Sequence, residues 1–117
     1  MSPTDKSIVW LCDTVRTPPF SQQARCEAGG FLRLLQRGDS LSMPHSRPMP
    51  TIGARCHELR INDHDATKRI FYRIDSDAII IADILVKKTR ATPTRVIQGC
   101  KNRFKEYDNA KREEKAT

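Results

Sequence analysis

The chain has no apolar run long enough to cross a bilayer: the longest, Ala78 to Val86, is too short and carries Asp83 inside it. Its opening, Met1 to Lys6, lacks the charged, then apolar, then small-residue succession of a secretory signal. The four cysteines (Cys12, Cys26, Cys56, Cys100) form no CxxC pair, and His45, His57 and His64 are not spaced as metal ligands. No internal repeat is visible, which argues against a solenoid. These absences predict a cytoplasmic protein with reduced, mostly core cysteines, no metal, no cofactor and no membrane partner.

What is abundant is positive charge. Lys and Arg number 21 against 14 Asp and Glu, a formal net charge of +7. A surplus of that size favours a polyanionic partner and says nothing about fold. With 38% hydrophobic and 30% charged residues in 117, the composition is that of one globular domain rather than a disordered chain. We expect a single domain over 1–117, with its core at about 7–107 and a polar, fraying tail at 108–117.

Apolar patterning gives the elements. Ser7 to Cys12 reads as a short strand. Ser21 is an N-cap, Ala24, Ala28, Phe31, Leu32 and Leu35 share one helical face, and Gly38 is the stop. Gly29 and Gly30 inside that helix suggest either close approach to a sheet or a kink. The proline-rich stretch 39–53 reads as one long loop, with His45 and Arg47 as ordinary surface residues. Cys56–Ile61 and Lys68–Ile74 alternate and are joined by turn residues, so they predict a hairpin, followed by a turn at Asp75–Asp77 and a strand at 78–86 that is apolar on both sides. Thr92 and Pro93 start a last helix, as N-cap and first helical residue, with Ile97, Cys100, Phe104 and Tyr107 on its apolar face. The fold class is α+β: a twisted, mainly antiparallel sheet with helices packed on it.

Period-two geometry places Glu58, Arg60, Arg69, Phe71 and Arg73 on one side of the hairpin, with Asp83 and Lys87 able to join them. Burying several unpaired guanidinium groups is costly, so this side is expected to face outward, toward solvent or a polyanion. Arginine suits phosphate because its planar fork donates in pairs and stays charged. Phe71, or Tyr72 at an edge, is a candidate for stacking on a base. RNA cleavage by attack of the ribose 2′-OH needs a base, an acid and cations around phosphorus. His57 and Glu58 are the candidate bases, although alternation puts His57 on the apolar side. Lys87, Lys88 and Arg90 are candidate charge stabilisers, and Arg55, Arg73 and Arg95 further RNA contacts. A surface ion-pair network of the same residues is the alternative reading.

Several strings in this order resemble the phage-derived, HigB-like branch of the RelE/ParE toxin superfamily: ELR at Glu58–Arg60, RxxYR at Arg69–Arg73, and KKTxxTP at Lys87–Pro93. IVWLCD at Ile8–Asp13 and the helix ending at Gly38 are similar to that family's first strand and helix, so the likeness spans about Ile8 to Tyr107. The resemblance implies a small RelE-like domain acting as a ribosome-dependent mRNA endoribonuclease without a metal. It also implies as partners the ribosome, its mRNA, and a cognate antitoxin with a helix-turn-helix domain. Arg60, Arg69 and Lys87 or Lys88 match positions that line the family's active surface, and Arg73 matches more loosely. Thr94 and Arg95 stand where several relatives carry a tyrosine, and lysines replace a His and Asp after the last strand. That leaves the acid and base unassigned, so a gyrase-poisoning, ParE-like toxin and a non-catalytic basic binding protein remain as alternatives.

Overall fold

Alternation along 56–62 and 67–74 sends one set of side chains to each side of a hairpin, and in the computed structural model both sets are covered. The structure describes residues 5–12, 20–63, 66–87 and 91–116. Its elements are β1 (Ser7–Trp10), α1 (Gln22–Gln36), β2 (Ser46–Pro48), β3 (Cys56–Asn62), β4 (Thr67–Ile74), β5 (Ala78–Lys87) and α2 (Thr94–Ala116). The five strands form one sheet in the order β1-β5-β4-β3-β2, with β1 parallel to β5 and the other pairs antiparallel. The expected α+β class holds.

α1 covers one face. Ser21 caps it by accepting from the Ala24 N–H at 3.1 Å. At the other end Gly38 adopts φ +94°, the Gly38 N–H donates to Leu35 and the Asp39 N–H to Leu34. That double bond pattern closes the last turn and needs a residue comfortable in the left-handed region. Ala24, Ala28, Leu32 and Leu35 pack on Leu59, Ile61, Ile70, Tyr72, Ile79 and Ile81. Gly29 and Gly30 do not approach the sheet. A Cβ on either would meet open space, because both lie off the buried stripe.

α2 covers the other face, where Val96, Cys100 and Phe104 meet Cys56, Phe71, Ala78, Ile80 and Ala82. The apolar character of 78–82 on both sides thus follows from one helix on each face. A bulge between the pairs Phe71↔Asp83 and Tyr72↔Ile81 leaves Ala82 extra in β5. The four cysteines are free; Cys56 and Cys100 are buried, but Cys26 is exposed on α1.

Three boundaries differ from expectation. A strand, β2, lies inside the predicted 39–53 loop. It is three residues long and ends in proline, so no alternation marks it, yet it pairs with β3 and its Ser46 hydroxyl lies 2.6 Å from the Tyr72 hydroxyl. α2 begins one residue late, with the Pro93 carbonyl accepting from Val96 and Ile97. It then continues to Ala116, through the stretch read as a polar tail. Ion pairs from Asp108 to Arg73 and from Lys111 to Asp77 fasten its second half to the β4–β5 end of the sheet.

Candidate functional site

The register across β2, β3, β4 and β5 sets side chains in transverse rows on the α2 face. One row is Arg47, Glu58, Phe71 and Asp83; the next is Arg60, Arg69 and Leu85; on the other side of the first come Cys56, Arg73 and Ile80. The candidate hairpin residues therefore do share one side. That side is not open: Glu58 and Phe71 are fully buried, Arg69 is 3% exposed and Arg73 8%. The expectation of an outward face fails because it treats the guanidinium groups as unpaired, whereas the fold supplies carboxylates to them beneath α2.

Glu58 is the centre of the first cluster. Arg69 Nη1 donates to both of its oxygens, at 3.0 and 3.1 Å. Arg60 Nε lies 3.4 Å from Oε1 and Arg47 Nη2 3.5 Å from Oε2. The Thr92 hydroxyl, predicted as a helix cap, instead donates to Oε2 at 3.3 Å. Among the described residues three guanidinium groups thus share one carboxylate, a surplus of two positive charges. The Arg60 and Arg47 side chains are 27% and 37% exposed, so the surplus reaches the surface there. Arg47 Nε is buried with no hydrogen-bond partner among the described residues.

The second cluster is balanced by acids. Arg73 Nε and Nη2 each lie 2.8 Å from an Asp75 oxygen, and its Nη2 and Nη1 lie 2.7 and 3.0 Å from Asp108. Its guanidinium stands 4.9 Å over the Phe104 ring. Burial works against the Arg73 charge, but the hydrogen bonds to Asp75 and Asp108 outweigh it and hold the group protonated more firmly than usual. In return, Arg73 holds the Asp108 carboxyl below the ordinary carboxylate range.

The other sequence candidates scatter. Phe71 is in the α2-side core and Tyr72 in the α1-side core, so neither ring reaches a base. Burial pushes the Tyr72 phenol up, with the Ser46 contact opposing it. His57 lies on the opposite side of β3 from Glu58, stacked on Tyr72 at 5.3 Å between centroids, with Nδ1 3.1 Å from the Arg55 carbonyl. The two candidate bases are therefore separated by the sheet. Arg55 is exposed at φ +63°; its carbonyl accepts from the Ile74 N–H, and Nη1 sits 3.5 Å from Asp75. Arg95 is exposed in the first turn of α2. Lys87 pairs with Thr67 in backbone register, while its side chain, together with Lys88 and Arg90, lies outside the described residues. Sequence reasoning missed Arg47 and Thr92. The only signal for Arg47 would have been the pairing of Ser46–Pro48 with β3, which a proline-ended triplet conceals.

Among the described residues no three His, Cys, Asp or Glu side chains gather as a metal site, and no helix is long and apolar enough to cross a membrane. A model of the family described as phage derived protein Gp49-like (DUF891) matches residues 19–105. No curated protein and no solved structure matches the chain. The chain belongs to this Gp49-like family, which is toxin-like and related to RelE and HigB; membership is consistent with a toxin of toxin–antitoxin type and suggests an antitoxin partner.

Proposed function

From that membership we propose that the chain is the toxin of a toxin–antitoxin pair and acts as a ribosome-dependent mRNA endoribonuclease, neutralised by a cognate antitoxin of the helix-turn-helix kind. The observation that carries the reading is the Glu58 cluster. One buried carboxylate fixes three guanidinium groups, and two of these reach solvent with more charge than the carboxylate neutralises.

In the proposed reaction the ribose 2′-oxygen attacks the adjacent phosphorus and the bond to the 5′-oxygen breaks. A 2′,3′-cyclic phosphate and a 5′-hydroxyl result. One proton leaves the 2′-OH and another is delivered to the departing oxygen. Negative charge grows on the non-bridging oxygens between these events, and donors held in place beforehand stabilise it without reorganising. Arg60 and Arg47 are those donors. Glu58, with no exposed surface of its own, is a positioning residue, and Arg69 and Thr92 hold it. Lys87, Lys88 and Arg90 precede Thr92 in sequence and add positive charge to that stretch of the chain.

Inducing the chain in cells and mapping mRNA ends tests this. Wild type is expected to arrest growth and leave new ends within coding regions; Arg60→Ala should abolish both. Intact transcripts together with inhibited DNA supercoiling would assign the chain to gyrase poisoning instead.

A further inference from the structure

Two clefts flank α2 on its β2 side, and their walls are continuous in sequence. The first, about 320 Å³, runs between Arg47–Thr51 and the start of α2 at Ala91, Thr92 and Ile97. The second, about 370 Å³, runs between Ile52–Cys56 and the helix face at Lys101, Lys105 and Arg112. One chain segment, 47–56, forms the outer wall of both. One helical stripe, from 97 to 112, forms the inner wall. From Ile97 to Arg112 the stripe extends about 23 Å at 1.5 Å per residue.

The charge along this course is mostly positive. Arg47 stands at one end; Arg55, Lys101, Lys105 and Arg112 surround the other, all four of them exposed. Asp108 is the one acid lining either cleft among the described residues, and it is committed to Arg73. Lys101 and Lys105 lie one turn apart on the same helical face, where like charges oppose each other. Such a placement weakens the helix slightly, and an anion from outside would offset it.

We propose that this groove carries single-stranded RNA by its phosphate backbone and leads it to the Glu58 cluster, so that Lys101, Lys105, Arg55 and Arg112 hold the strand at a distance from the cluster. The inference rests on the endoribonuclease reading for its destination, but the groove is testable alone. A surplus of cations, whose one acid is already paired with Arg73, suits a uniformly charged chain better than an acidic peptide, whose carboxylates come at intervals. The half-buried Ile97 and the exposed Pro48 and Pro50 offer the bases apolar surface at the cluster end.

The test is fluorescence anisotropy with the full chain and labelled oligouridines of about 4 and about 12 nucleotides, spanning the range of single-strand site sizes. The longer strand should bind at least about 10-fold more tightly, and Lys101→Glu/Lys105→Glu should remove that advantage. The double variant should also lower the salt dependence by about 0.7 for each phosphate it no longer holds. Both side chains are exposed, so circular dichroism should show an unaltered fold. Equal binding of the 12-mer by wild type and variant overturns the groove, as does tighter binding of polyglutamate or of an RNA duplex of the same length. None of these readouts requires cleavage, so a protein that binds the strand but cuts no mRNA would retain the groove and lose only the endoribonuclease reading.

Discussion

At one end of the β3–β4 hairpin face Arg73 meets two carboxylates, Asp75 and Asp108; two residues along β3, Glu58 meets three guanidinium groups. Both clusters lie on the α2 face of the sheet and both begin with arginines read from the same alternation. The difference is in the balance of charge. Arg73 has each nitrogen of its fork answered by acid, so it fastens α2 to the sheet. Arg60 and Arg47 share a carboxylate already taken by Arg69, so part of their donor capacity is turned toward solvent. An arginine on a sheet face is thus a fastener or a ligand site according to how many acids the rest of the fold brings to it.

The comparison breaks most sharply at Arg69. Removing it leaves the fully buried Glu58 with two longer, partly exposed ion pairs and the Thr92 hydrogen bond, and breaking a buried pair typically costs about 3–5 kcal/mol. Arg69→Ala should therefore lower the urea midpoint strongly, and any loss of toxicity in that variant should follow its loss of fold. An unchanged midpoint would mean that Glu58 is not held as described.

A smaller effect separates the second cluster by its pH response. The Asp108 carboxyl is depressed by Arg73, so its contribution is present above the ordinary carboxylate range and fades as pH falls through the lowered value. Asp108 is half exposed, so after solvent screening the pair contributes under about 1 kcal/mol. Asp108→Asn should unfold at a lower temperature than wild type at pH 7, and the gap should close on acidification. A gap that persists at acid pH would assign the loss to packing.

The smallest expected effect concerns the core that both clusters overlie. Burial pushes the Cys100 thiol up to about 12, while an unfolded thiol ionises near its ordinary value of 9.0. The neutral thiol's contribution is present below the unfolded value and declines as pH rises from there toward the folded one. At neutral pH a thiol reagent should label the exposed Cys26 at once and Cys100 only on unfolding. Rapid labelling of Cys100 would show that α2 lifts from the sheet.

Much of this arrangement was legible in the residues. Ser21 and Gly38 mark the ends of α1 through local bonds, and the alternation of 56–61 and 68–74 assigns Glu58, Arg60, Arg69 and Arg73 to one side. Alternation reports which side a residue occupies, not what lies above it. The apolar stripe of Ile97, Cys100 and Phe104 needed a partner face, and the one available beside Phe71 and Ile80 was that of the arginines. Asp108 and Asp75, which make this burial tolerable, are distant in sequence or in a turn, so their pairing with Arg73 has no local signature. Arg47 stayed hidden for the same reason: its row opposite Glu58 comes from a tertiary pairing of three residues.

The central claim is that the charge surplus around Glu58 acts on RNA while the balanced pairs around Arg73 hold the fold. Its most direct test is mRNA cleavage on programmed ribosomes by purified wild type and Arg60→Ala, with thermal unfolding measured on the same samples. Arg60→Ala is predicted to cut about 10²-fold more slowly, as for loss of a single charge-stabilising donor, with stability changed by less than about 1 kcal/mol. Cleavage by Arg60→Ala at the wild-type rate, or a loss of cleavage matched by an equal loss of folding, would contradict the account.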